Sequence, residues 1–415
     1  MIFDYNKLKP REFRLDNGIS VYAFDDKKLD LVRLEFIFEA GSFFQNKRMT
    51  AQACCSLLTE GTSTWNAEEI SDKLDYYGAY IEKDSDRDQS SIVIYCMSRY
   101  LKEIIPLCED LIKRSIFPEK EIEIYKQKLH HKFLVSLQKV NEISRKAFYQ
   151  MLFGPSHPYG QVLEEADFDH LNREDVLEFY QQAYVSENCN MVLSGSYDVD
   201  EITKVLNHSF GGRDWTGKAR VLPCGELPWE KPLPEKRKIE KKDAVQTSVR
   251  MGKMVIGPKH PDFFDFKILD YVFGGYFGSR IMKNIREEKG YTYGISSYMV
   301  PLRYSTVWMI ASEVKSSKEE AIIKEIQKEM KLLCEEEISE QELDLVRHSY
   351  AGEFLREMDG TFDISEKTKF HLMFGLDEHF YEQFDQRLRN ITPYQIKETA
   401  KKYFDPNTLF CVVAG

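Results

Sequence analysis

The sequence predicts an α+β protein made of two homologous domains, and three observations lead there. The chain has 415 residues, 42% of them apolar and 30% charged, which is enough for two cores of ordinary size. Period-2 and helix-period runs are interleaved along it. The chain also repeats itself. Residues 171–195 align without gaps onto 391–415, and 117–126 align onto 338–347 with nearly the same offset and matched apolar positions. Two segments sharing one offset imply duplication of a unit of about 200 residues. The expected plan is an N-terminal domain over 1–211, a linker over 212–245 and a C-terminal domain over 246–415. Each domain is an antiparallel-type sheet packed with helices, and the two face each other across a cleft.

The elements follow in order. Phe13 to Ala23 alternates and turns at Asn17-Gly18, a hairpin signal. Leu31 to Ala40 is a core strand ended by Gly41-Ser42. A helix runs from Met49 to Thr59 and stops at Gly61. Another starts near Asn66, with Glu68 and Glu69 in its first turn, and reaches Tyr77-Gly78. Residues 79–96 read as strand and 99–114 as helix. Phe117-Pro118-Glu119 opens a long helix, rich in Lys and Glu, that continues past 140. Residues 153–160 form a loop. A helix over 172–184 and a strand over 190–195 close the first half. The stretch 212–245 holds Pro223, Pro228, Pro232 and Pro234 and reads as linker. A strand near Thr247 opens the second half.

The net charge of −11 argues against nucleic acid or an anionic membrane as the main partner. The eight cysteines form no Cys-x-x-Cys pair and read as reduced, mostly core thiols. Cys54-Cys55 lies on an apolar helix with no nearby His or Lys to activate a thiol. No stretch of about 18 apolar residues exists, and the N-terminus lacks the apolar run of a signal peptide. Cytoplasmic localisation is the expectation.

Chemistry concentrates at 274–298. Gly274, Gly275 and Gly278 form a turn where backbone can pass close to another element. A helix begins at Ser279, a candidate N-cap, with Ile281, Met282 and Ile285 on one face. Gly290 is a candidate C′ residue, and a strand over 291–298 leaves the corner. Arg286 at the helix end and Tyr293 at the strand start can donate to one carbonyl or oxyanion. The same spacing also fits a helix-end cation and a half-buried strand residue.

This block, the Phe-Gly-x-x-His-Pro-Tyr-Gly loop at 153–160, the linker and the duplicated plan together resemble the pitrilysin/insulinase-type metallopeptidases, the inverted zincins. The resemblance covers nearly the whole chain and implies that Arg286 and Tyr293 contact a substrate peptide near its scissile bond. It also implies a His-x-x-Glu-His helix after Gly41-Ser42. Counting back from Gly61-Thr62 puts Gln52, Cys55 and Ser56 at the His, Glu and His positions, and the third zinc ligand near His131 or Lys132. Gln and Ser are poor zinc ligands, and a thiol does not replace the carboxylate base. His130-His131 reads as part of a solvated helix face, and His157 as a structural member of the loop.

The expected protein is therefore a non-catalytic, substrate-binding subunit of a zinc-dependent peptidase that degrades unstructured peptides. It holds no metal and no cofactor of its own. Zinc is expected in a related partner chain with an intact His-x-x-Glu-His, the two forming a heterodimer; a homodimer is the expectation for the chain alone. Two alternatives stay open. One is a binding or assembly scaffold without a role in proteolysis, and the other an autonomous peptidase with an unconventional site.

Overall fold

The computed structural model describes residues 3–215, 217 and 232–415. Its strands are β1 (Arg11–Arg14), β2 (Ser20–Asp25), β3 (Leu31–Phe38), β4 (Tyr80–Ser85), β5 (Ser90–Met97), β6 (Cys189–Gly195), β7 (Lys236–Ile239), β8 (Thr247–Val255), β9 (Thr292–Leu302), β10 (Ser305–Val314) and β11 (Phe410–Ala414). The first-half helices are α1 (Thr50–Leu57), α2 (Ala67–Tyr77), α3 (Leu101–Lys113), α4 (Glu119–Ser136), α5 (Val140–Phe153), α6 (Asp167–His170), α7 (Arg173–Ala183) and α8 (Val199–Phe210). The second half has α9 (Phe263–Asp270), α10 (Glu319–Glu335), α11 (Glu340–Arg356), α12 (Thr361–Phe374), α13 (Phe380–Asn390) and α14 (Pro393–Tyr403).

The strands form two sheets, ordered β1-β2-β6-β3-β5-β4 and β7-β11-β8-β10-β9. Pairing is antiparallel except between β2 and β6 and between β7 and β11. Those two parallel pairs occupy matching places, so the fold repeats as the sequence offset predicts. One face of the first sheet packs on a core drawn from α1, α3, α4, α7 and α8, and the second sheet has its own core.

The opposite faces are covered by exchange. α5, from the first half, lies on β8 and β11 of the second sheet, where Phe148 and Leu152 share a core with Met309 and Val412. α12, from the second half, lies on β6 and β2 of the first sheet, where Ile364 packs with Phe24, Ile37 and Val192. Each helix crosses to the sheet built by the other half of the chain.

Local expectations meet the structure unevenly. The hairpin at Asn17-Gly18 forms, and Asn66 and Glu69 make a reciprocal capping box at the start of α2. The long helix from 119 does not continue past 140. It ends at Ser136, and α5 begins afresh at Val140, because only a break there lets α5 swing onto the other sheet. The linker stretch 212–245 contains β7, which pairs with β11. The lysines and arginine of β7 are exposed, so no apolar alternation announces it. Pro223 and Pro228 lie outside the described residues, as does Cys224; the other cysteines are unpaired thiols, and most are buried.

Candidate functional site

The corner at 274–293 is built by close approach. A Cβ on Gly274 would stand 2.7 Å from the backbone nitrogen of Ser297 on β9, so only glycine lets the chain pass there. The helical turn Met282–Glu288 has the wide π spacing, with the Lys289 N–H donating to the Asn284 carbonyl at 3.1 Å. Such turns concentrate at functional sites. Ile281 and Ile285 bury into the second core and Met282 packs against it. Gly290 adopts φ +62, and Tyr291 N–H returns to the Ile285 carbonyl at 3.1 Å, which closes the turn as expected of a C′ glycine. Ser279 does not cap. Its hydroxyl is buried without a hydrogen-bond partner, while its carbonyl accepts from Lys283 N–H at 2.9 Å.

This geometry brings Arg286 and Tyr293 together. Arg286 Nε donates to the Tyr293 carbonyl at 3.0 Å. The guanidinium carbon lies 4.6 Å from the centre of the Phe277 ring, itself 61% exposed, a cation–π arrangement. Neither terminal amino group of Arg286 makes a hydrogen bond among the described residues, and Tyr293 is 89% exposed. Arg286 thus bonds the Tyr293 backbone rather than its phenol, and its Nη1 also stands 4.0 Å from the Glu287 carboxylate. Tyr293 also borders an open groove of about 470 Å³. Phe277 was not singled out from the sequence; the available signal was an aromatic set among the glycines of a turn.

The helix expected to correspond to the zinc helix is α1. Gln52 is exposed, Cys55 is buried and Ser56 is half-buried. Cys55 donates its S–H to the Asp84 carbonyl at 3.3 Å, and burial pushes its thiol up to about 12, which removes it as a nucleophile near neutral pH. A lysine stands beside it. Lys83, on β4, donates to the Ser56 carbonyl at 2.6 Å and to the Thr59 hydroxyl, and burial pulls its ammonium below the ordinary range. The residue of α4 whose hydroxyl faces Ser56 is Tyr125, upstream of His131 and Lys132. A neutral thiol, an amide, two hydroxyls and a buried ammonium do not fit a zinc ion. The described residues hold no group of three His, Cys, Asp or Glu able to take one. Lys83 was readable only as a Lys in phase with Ile81 along a strand.

The outlying histidines are structural. His157 Nδ1 accepts from the Tyr159 N–H at 3.1 Å, and its ring stacks on Phe153. His130 faces Phe168 and Glu165. No helix among the described residues is long and apolar enough to cross a membrane.

Residues 170–350 match the family profile described as "Peptidase M16 inactive domain". Over this region the chain is similar to the M16, or pitrilysin-type, peptidase family. An "Uncharacterized zinc protease" of Rickettsia bellii is 22% identical over 408 residues, 96% of each chain. A "Non-peptidase homolog YmxG" of Helicobacter pylori is 22% identical over 392 residues, 92% of this chain and 88% of the relative. Among solved structures, a peptidase M16 inactive domain from Pseudomonas fluorescens superposes with a TM-score of 0.89 at 20% identity, over 98% of each chain. Complex III2 from Candida albicans contains a chain that superposes with a TM-score of 0.77 at 15% identity, over 98% of this chain and 95% of that one. These structural likenesses concern the fold.

Proposed function

We propose that this M16 homologue is the non-catalytic, substrate-binding subunit of a zinc-dependent peptidase acting on unstructured peptides. The observation that carries the reading is the contrast between the two halves. The α1 positions are filled with groups that cannot hold zinc, while the corner keeps Arg286, half-buried against Phe277 and beside Glu287, next to the backbone of an exposed Tyr293. Zinc and the base that activates water would come from a related chain with an intact His-x-x-Glu-His. This chain would supply donors to the substrate carbonyl and to the oxyanion that develops from it. Arg286 is pre-oriented for that role, since the bond from Nε to the Tyr293 carbonyl fixes the plane of the guanidinium.

Preorganised donors of this kind contribute about 2–4 kcal/mol in the transition state. Arg286→Ala and Tyr293→Phe should each lower turnover of the reconstituted pair by roughly 10²–10³-fold, with folding and assembly unchanged. The measurement is steady-state peptide hydrolysis, with subunit assembly checked by size-exclusion chromatography. Mutant complexes that assemble and turn over at the wild-type rate would transfer the weight to an assembly scaffold.

A further inference from the structure

Arg33 and Arg250 lie on strands that hold matching places in the two sheets. Arg33 is on β3 and Arg250 on β8, and each reaches a serine of the exchanged helix. Arg33 Nη1 donates to Ser365 Oγ at 3.4 Å, and Arg250 Nε to Ser144 Oγ at 3.4 Å. Those serines hold the same place in α12 and α5, whose residues 361–374 and 140–153 correspond end to end.

The two arginines differ in what neutralises them. Arg33 pairs with Glu35 at 2.8 Å and with Glu366, and Lys369 binds Glu35 at 3.0 Å. The correspondence of α12 with α5 puts Arg145 in place of Glu366, and the sheet register puts Arg250 itself where Glu35 stands, opposite Val412 as Glu35 is opposite Val192. Arg250 is only 7% exposed. Its remaining partners are the Tyr298 hydroxyl at 3.3 Å and Met309 Sδ at 2.7 Å. Among the described residues no carboxylate lies within 4.0 Å of it. A buried guanidinium with no carboxylate paired to it is costly, and an arriving anion reduces that cost.

Arg250 lines the groove that Tyr293 borders. The other walls are the neutral polar residues Asn141, at the start of α5, Gln246, Ser248, Thr292 and Ser312. We propose that this groove takes a carboxylate carried by a peptide, with Arg250 as the residue that binds it. The inference rests on the peptide-contact reading of the Arg286–Tyr293 corner and deepens it: the bound peptide would place its terminal carboxylate, or an Asp or Glu side chain, against Arg250. Two acids are near. Glu142 is occupied by Arg145 at 2.6 Å. Glu313 lines the groove and pairs with Ser248 across the sheet, so it opposes an anion and weakens the site at neutral pH.

The test uses the full chain and one neutral, fluorophore-labelled peptide in three forms: a terminal acid, a terminal amide, and an amide ending in Glu. Fluorescence anisotropy at low salt gives the affinities. The acid should bind at least about ten-fold more tightly than the amide, as for a hydrogen bond to a charged group. That advantage should vanish in Arg250→Met and grow in Glu313→Gln. The Glu-ending amide identifies the source of the carboxylate: binding like the acid admits a side chain, and binding like the plain amide restricts the site to the chain terminus. Should Arg250→Met fail to fold, Glu313→Gln still decides, because an unchanged acid-to-amide ratio in that variant overturns the assignment. Equal binding of acid and amide to the wild type, still lost in Arg286→Ala, overturns the carboxylate site and leaves the corner as a peptide contact. Binding of none of the three overturns both.

Discussion

Asp270 is a carboxylate inside the second core. Its Oδ1 accepts from Trp308 Nε1 at 2.6 Å and from the Ser297 hydroxyl, and burial pushes its pKa up to about 6. The folded state therefore binds a proton that the unfolded chain has released. The resulting stability is fully present below the ordinary carboxylate pKa of about 4 and is lost as the pH rises through about 6. Asp270→Asn keeps an oxygen for both donors and removes the titration. Between pH 4 and 6.5 the wild type should lose up to about 3 kcal/mol relative to the variant, read from paired denaturant titrations across that range. Parallel curves would show that Asp270 does not titrate there. Ser297, one of its donors, is also the residue against which Gly274 packs, so this buried acid braces the strand that carries Tyr293.

At the scale of elements, the corner depends on glycine where two backbones touch. Gly274→Ala would push its Cβ into the Ser297 backbone and the Ile281 side chain. Overpacking of this kind costs about 1–3 kcal/mol, and β9 has to shift to relieve it. The denaturant midpoint should fall, and peptide hydrolysis by the reconstituted pair should fall with it, because Arg286 and Tyr293 sit on either side of the strained contact. A Gly274→Ala protein of unchanged midpoint would show that the approach is looser than the geometry implies. α4 and α5 teach a related lesson. Residues 137–139 contain neither Gly nor Pro, so nothing local ends the helix. The break occurs because Phe148 and Leu152 gain a core against Met309 and Val412 only if α5 leaves the line of α4, and burial of such side chains outweighs a few residues of helix propensity.

For the whole molecule, the exchanged helices make each half incomplete alone. Without α12 the first sheet exposes Phe24, Ile37 and Val192, and Arg33 keeps Glu35 but loses Glu366 and Ser365. A fragment of residues 1–211 should therefore be poorly soluble and lack a cooperative thermal transition. Co-expression with 232–415 should restore both, as judged by sedimentation and circular dichroism. If 1–211 alone melted cooperatively near the temperature of the full chain, the exchange would be shown not to matter for folding, and the proposed division into two domains would hold physically as well as by repetition.

The sequence by itself determined the α+β class, the duplication and the turn glycines. These are carried by short-range spacing or by internal repetition, which a linear reading contains. Tertiary structure alone decided which sheet each helix covers, where α4 ends and what stands beside the zinc-motif positions. Lys83 and Tyr125 meet Cys55 and Ser56 only once β4 and α4 pack around α1. Arg33 and Arg250 look alike along the chain, and they separate only when α12 brings Glu366 into an ion pair with one, while the acid that α5 brings near the other, Glu142, pairs with Arg145 instead. The physical reason is the same in each case: burial and ion pairing depend on what arrives from far along the chain.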